Sequence, residues 1–81
     1  MKIINITKYL RFIDKEVKKK TKIVGVVNIH HDEEIGEIKW FSRWRQYTFY
    51  PSDGTVWNKD CLNDINSVIN KLMEERKNAK V

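Results

Sequence analysis

The chain has 81 residues, a formal net charge of +5, 33% charged residues and a single cysteine. This length holds one domain, 1–81, with a thin core that buries roughly 60% of the surface its unfolded chain exposes. It leaves little chain for a closed catalytic pocket, and Cys61 alone excludes an internal disulfide and points to an intracellular protein.

The charge is unevenly placed. Residues 1–31 carry a net +6, residues 32–38 a net −4 and residues 39–51 a net +3, and the remainder balances. Such a distribution favours anionic partners: nucleic acid, nucleotides or acidic protein surfaces. No secretory signal follows Lys2, and the longest β-branched run, IVGVV at 23–27, is far short of a membrane span. A cytoplasmic protein with no membrane contact is expected.

The first segment reads two ways. Ile3, Ile6, Leu10, Ile13 and Val17 fit a helical stripe, whereas Ile4, Ile6, Leu10 and Phe12 fit an alternating strand. KEVKKKTK, 15–22, then reads as a solvated, lysine-rich connection. In KIVGVVNIH, Ile23, Val27 and Ile29 share a face with Gly25. HDEE makes an acidic turn. EIGEIKWF alternates Ile38 and Trp40 against Glu37, Lys39 and Phe41, and RQYTFYP alternates Arg45, Tyr47 and Phe49 against Gln46, Thr48 and Tyr50. This period of two marks antiparallel strands. PSDG, 51–54, is a turn, and TVW after it suggests a short further strand.

From 58 onward, Cys61, Leu62, Ile65, Val68, Ile69, Leu72 and Met73 recur at helical spacing on one face. Asn58 or Asp60 would cap this helix. Asp60 and Asp64 at its start, and Arg76, Lys77 and Lys80 at its end, suit the helix dipole.

Gly36, Ile38 and Trp40, then Trp44, Arg45, Tyr47, Phe49 and Pro51, then Thr55, Val56, Cys61, Leu62 and Ile65 form a pattern. The pattern resembles a family of small phage and prophage proteins of largely unassigned function, over residues 23–73. The resemblance implies a phage accessory protein acting in the bacterial host cell and a sheet-plus-helix fold. It also implies a strand for residues 8–14, and it brings no catalytic residues. The expected fold is α+β: about four antiparallel strands, a short fifth element, and one C-terminal amphipathic helix packed on one sheet face.

The stretch IKWFSRWRQYTFYP, 38–51, concentrates the chemistry. Arg43, Trp44 and Arg45, with Trp40 and Tyr47, combine rings that stack on bases with guanidinium forks that match phosphate oxygens. A small domain also needs Trp40, Tyr47 and Phe49 for burial, so Arg43, Trp44 and Arg45 are the stronger contact candidates.

HHDEE at 30–34 lacks metal-ligand spacing, since neighbouring strand residues point to opposite faces. Cys61 has no base nearby in sequence and lies on the apolar stripe. No cofactor motif is present, and a non-enzymatic binding protein is expected.

Three functions compete. The first is a binder of a nucleotide-like ligand through Arg43, Trp44, Arg45, Trp40 and Tyr47, which in a phage setting would sequester a host immune signal. The second is a nucleic-acid binder through Lys18, Lys19, Lys20 and Lys22. The third is an inhibitor that docks on a host protein. Each is compatible with a homo-oligomer formed through the sheet face that one helix leaves uncovered.

Overall fold

The computed structural model describes residues 2–79. Its elements are β1 (Lys2–Ile6), β2 (Leu10–Val17), β3 (Lys22–Asn28), β4 (Glu33–Phe41), β5 (Gln46–Pro51) and α1 (Lys59–Ala79). The five strands form one antiparallel sheet in the order β1-β2-β3-β4-β5. The α+β class and the C-terminal helix are as expected, but there are five strands, not four.

The extra strand is β1. Neither a helix nor a lone strand over 8–14 describes the start; it is a hairpin. Its turn has no Gly or Pro. Instead Thr7 closes it, donating its amide to the Leu10 carbonyl at 2.8 Å and accepting the Leu10 amide on Oγ1 at 3.2 Å. TVW is not a strand. Trp57 instead turns inward, stacking edge-on against Phe49 with ring centres 4.7 Å apart. The lysine-rich segment is a loop only over 18–21, because Lys15 lies in β2 and Lys22 in β3.

One sheet face lies under α1. The core there is Leu10, Phe12, Val24, Val26, Ile38 and Tyr47 from the sheet, with Ile65, Val68 and Leu72 from the helix. On β3 it is therefore Val24 and Val26 that face the helix. Ile23, Gly25 and Val27 alternate onto the outer face. IVGVV is apolar on both sides, so its alternation does not say which face is covered.

The helix starts where expected. The Asn58 side-chain carbonyl accepts the Cys61 amide at 2.8 Å, satisfying one of the first-turn donors. Leu62, on the predicted stripe, is half exposed, at the edge of the buried face.

A meander puts alternate turns at opposite ends of the sheet. The β1–β2 and β3–β4 turns and the segment leading into α1 share one end, with the helix N-terminus beside Thr7, Lys8 and Tyr9. The β2–β3 and β4–β5 turns share the other, and α1, about 31 Å long at 1.5 Å per residue, reaches it with its C-terminus.

Candidate functional site

Strand alternation divides the 38–51 hairpin between two faces. Ile38, Trp40, Tyr47 and Phe49 turn toward α1, while Lys39, Phe41, Thr48 and Tyr50 turn away. Tyr47 is 4% exposed, and its hydroxyl oxygen accepts the Lys22 amide at 3.2 Å. Trp40 packs edge-on against Tyr47 at 5.5 Å, and the Arg76 guanidinium covers its ring at 4.0 Å. Both rings are engaged inside the protein.

The turn itself comprises residues 42–45. Its amides close back on the strand end, from Trp44 to the Phe41 carbonyl at 3.1 Å and from Arg45 to the Ser42 carbonyl at 3.2 Å. Arg45 completes it in the left-handed region, with φ of 54°. Trp44 is 61% exposed and stands edge-on against Phe41 at 4.8 Å, so it belongs to the outer face. Arg45 lies on the helix side, lining a hollow of about 500 Å³ with Trp40, Met73, Glu74, Arg76 and Lys77.

The five residues expected to form one ligand site therefore do not converge. Tyr47 is core, Trp40 lies beneath Arg76, Arg45 borders the hollow, and Arg43 and Trp44 project from the turn.

The lysine run joins the same end. Lys18, Lys19, Lys20 and Lys22 border a second hollow, of about 260 Å³, together with Tyr47, Leu72, Glu75 and Arg76. Arg76 lines both hollows, so the two basic segments, separate in sequence, form a continuous surface bridged by the helix C-terminus.

Lys22 is paired, at 3.4 Å from Asp14 and 3.5 Å from Glu75. Among the described residues, Lys18, Lys19, Lys20, Arg43, Arg45 and Lys77 have no carboxylate within 4 Å, and all six are exposed. Arg76 and Lys77 read in the sequence only as partners for the helix dipole. The length of α1 set against the parity of the turns is the signal that would have placed them here.

The opposite end gathers Asp32, Glu33, Asp53, Asp60 and Asp64 against Lys8, Lys59 and the Arg11 that pairs with Asp32, a balance on the acidic side. His30 and His31 lie there too, their amides both donating to the Asn28 side-chain carbonyl, at 2.9 and 3.3 Å.

Between the two ends, the middle of the outer face carries a cluster of charged side chains from β2 and β4. Lys15 bridges Glu34 at 2.9 Å and Glu37 at 2.7 Å, and its stem crosses Gly25. Hydrogen bonds donated by its ammonium to Glu37 and then to Glu34 raise the Lys15 pKa above its ordinary value. Cys61 is half buried, and desolvation pushes its thiol pKa up, outweighing a hydrogen bond from the Asn58 backbone that lowers it. Among the described residues, no helix is long and apolar enough to cross a membrane.

No protein-family model matches the chain, and no solved structure matches it. A curated relative is the "Uncharacterized 9.3 kDa protein" of Acholeplasma phage L2, 44% identical over 72 residues that cover 88% of this chain and 92% of the relative. At that identity over nearly the whole of both chains, the protein belongs to the same family of small phage proteins as this relative.

Proposed function

We propose that the protein is a non-enzymatic phage accessory protein that binds the phosphate backbone of nucleic acid at its basic end. One observation carries this reading. Five exposed cations without acidic partners among the described residues, Lys18, Lys19, Lys20, Arg45 and Lys77, drawn from two turns and a helix end, share one continuous surface. Cations arranged this way displace the counterions condensed on a polyanion, which makes affinity steeply salt-dependent. Separation of the acidic end from the basic end also orients the approach of a negatively charged chain.

The test is a fluorescence-anisotropy titration of a labelled oligonucleotide at several salt concentrations. Log affinity is expected to fall linearly with log salt. The triple variant K18A/K19A/K20A should flatten that slope by about 2, at roughly 0.7–0.9 for each phosphate no longer neutralised. Absence of binding at low salt, or an unchanged slope in the triple variant, overturns the reading.

A nucleotide-like ligand is the second reading, favoured by the hollow between Trp40, Arg45, Arg76 and Lys77. Its base would have to displace Arg76 from Trp40, and its phosphates would face Glu74. Saturable binding of a free nucleotide that persists at high salt would select it over the first.

A further inference from the structure

Resting on the nucleic-acid reading, we infer that the strand bound is single-stranded, with its bases stacked on the outer sheet face along β4 and β5. Over β4 and β5 the outer face carries rings that α1 does not cover. Phe41 and Tyr50 both alternate away from α1, and Trp44 stands against Phe41 with most of its surface open. The register sets them in a row. Phe41 lies opposite Gln46, Lys39 opposite Thr48, and Tyr50 opposite Glu37.

The Phe41 and Tyr50 positions are thus four residues apart along the ladder, about 13 Å at ~3.4 Å per residue. Between them the Lys39 ammonium lies over the Tyr50 ring, 4.5 Å from its centre, so a base stacking there moves this ammonium off the ring and toward the phosphates. Arg43 lies in the 42–45 turn that follows Phe41, two residues before the Arg45 of the basic surface. At its far end the row meets Glu37 and Glu34, held by Lys15, and there the surface turns acidic.

A row of rings with interleaved cations that begins at a basic surface and stops at carboxylates fits a chain of bases joined by phosphates. A duplex keeps its bases stacked on one another and offers these rings nothing but backbone. Stacking on aromatic side chains is available to every unpaired base and tolerates any sequence. Among the rings of the described residues Trp44 pairs with Phe41 alone, and it leaves 61% of its surface open.

The experiment compares single-stranded DNA, single-stranded RNA and duplex DNA of equal length, by anisotropy at fixed salt, with the wild type, Trp44→Ala and Tyr50→Leu. Wild type should favour at least one single strand over duplex by about tenfold or more, and Trp44→Ala should remove most of that preference. The salt slope should not change in Trp44→Ala, because every phosphate-binding cation is kept. Tyr50→Leu should weaken single-strand binding without moving duplex binding, and circular dichroism confirms that both variants are folded.

Equal affinity of the wild type for strand and duplex, or variants that match wild type on every nucleic acid, overturns this inference and leaves the basic-end reading intact. Failure of all three nucleic acids to bind overturns both.

Discussion

The Arg76 guanidinium lies 4.0 Å from the centre of the Trp40 ring, joining the end of α1 to the β4–β5 hairpin. Arg76 Nε is buried without a hydrogen-bond partner among the described residues, so the ring, not an acceptor, holds this side chain. A cation on an aromatic face contributes about 0.5–2 kcal/mol, and the Arg stem adds packing. Arg76→Ala should therefore lower stability by about 1–2 kcal/mol in urea denaturation. Arg76→Lys should recover only part of it, since an ammonium lacks the planar stack. A red shift of Trp emission in Arg76→Ala should accompany the destabilisation.

Gly36 and Phe49 face each other across β4 and β5. A Cβ on Gly36 would come within 2.5 Å of the Phe49 ring and 2.9 Å of the Tyr50 carbonyl oxygen. Trp57 packs edge-on against Phe49 with ring centres 4.7 Å apart, which restricts how far that ring can yield. Gly36→Ala should cost about 1–3 kcal/mol by overpacking. A double variant with Phe49→Leu should cost less than the two single changes added together. At Gly25 the nearest atoms are side-chain atoms, the Glu34 carboxylate oxygen and the Lys15 stem, and no backbone atom is among them. Gly25→Ala should accordingly be the milder change, and thermal melts of both variants rank them.

Arg45 holds a positive φ that glycine adopts without steric cost. Arg45→Gly should leave stability unchanged or raise it by up to about 1 kcal/mol, the relief being offset by the entropy of glycine. Its salt slope for nucleic acid should still fall by about 1, because one fewer phosphate is neutralised. A variant more stable yet weaker in binding separates the turn's folding cost from its charge. Arg45→Val, β-branched at a left-handed position, should instead destabilise the hairpin.

Removing the helix cap tests the other end. Asn58→Ala leaves the Cys61 amide without its acceptor and should cost about 1 kcal/mol, with Asn58→Asp or Asn58→Ser restoring most of it. The urea midpoint reads this directly.

Lys15 and Cys61 contribute to the alkaline pH dependence of stability. Each has a folded pKa above its ordinary value, 10.5 for Lys15 and 9.0 for Cys61. Their contribution to stability is present below those values and is lost as pH rises through the higher folded values. Stability should therefore fall above about pH 9, and Cys61→Ala should shrink the first part of that fall. The same desolvation predicts a slow reaction of Cys61 with a thiol reagent at pH 8, compared with the urea-unfolded chain.

The helix and the central hairpin were legible from the residues alone, because both signals are local. A stripe from Cys61 to Met73 has one solution on a 3.6-residue period, and Asn58 caps it through atoms three residues away. Alternation likewise assigned Trp40, Tyr47 and Phe49 to one face and Phe41 and Tyr50 to the other. The β1–β2 hairpin escaped because its turn is closed by the Thr7 hydroxyl, not by a glycine or proline that composition reveals.

The candidate surface was legible only in pieces. The amino-acid sequence determined which segments carry cations and which residues share a strand face, since those depend on near neighbours in the chain. Only the tertiary structure decided that Arg76 covers Trp40, that Trp44 stands on the outer face, and that the turns at 18–21 and 42–45 meet the end of α1. The parity of a five-stranded meander and the reach of a 21-residue helix make that choice, and neither is a property of any one segment.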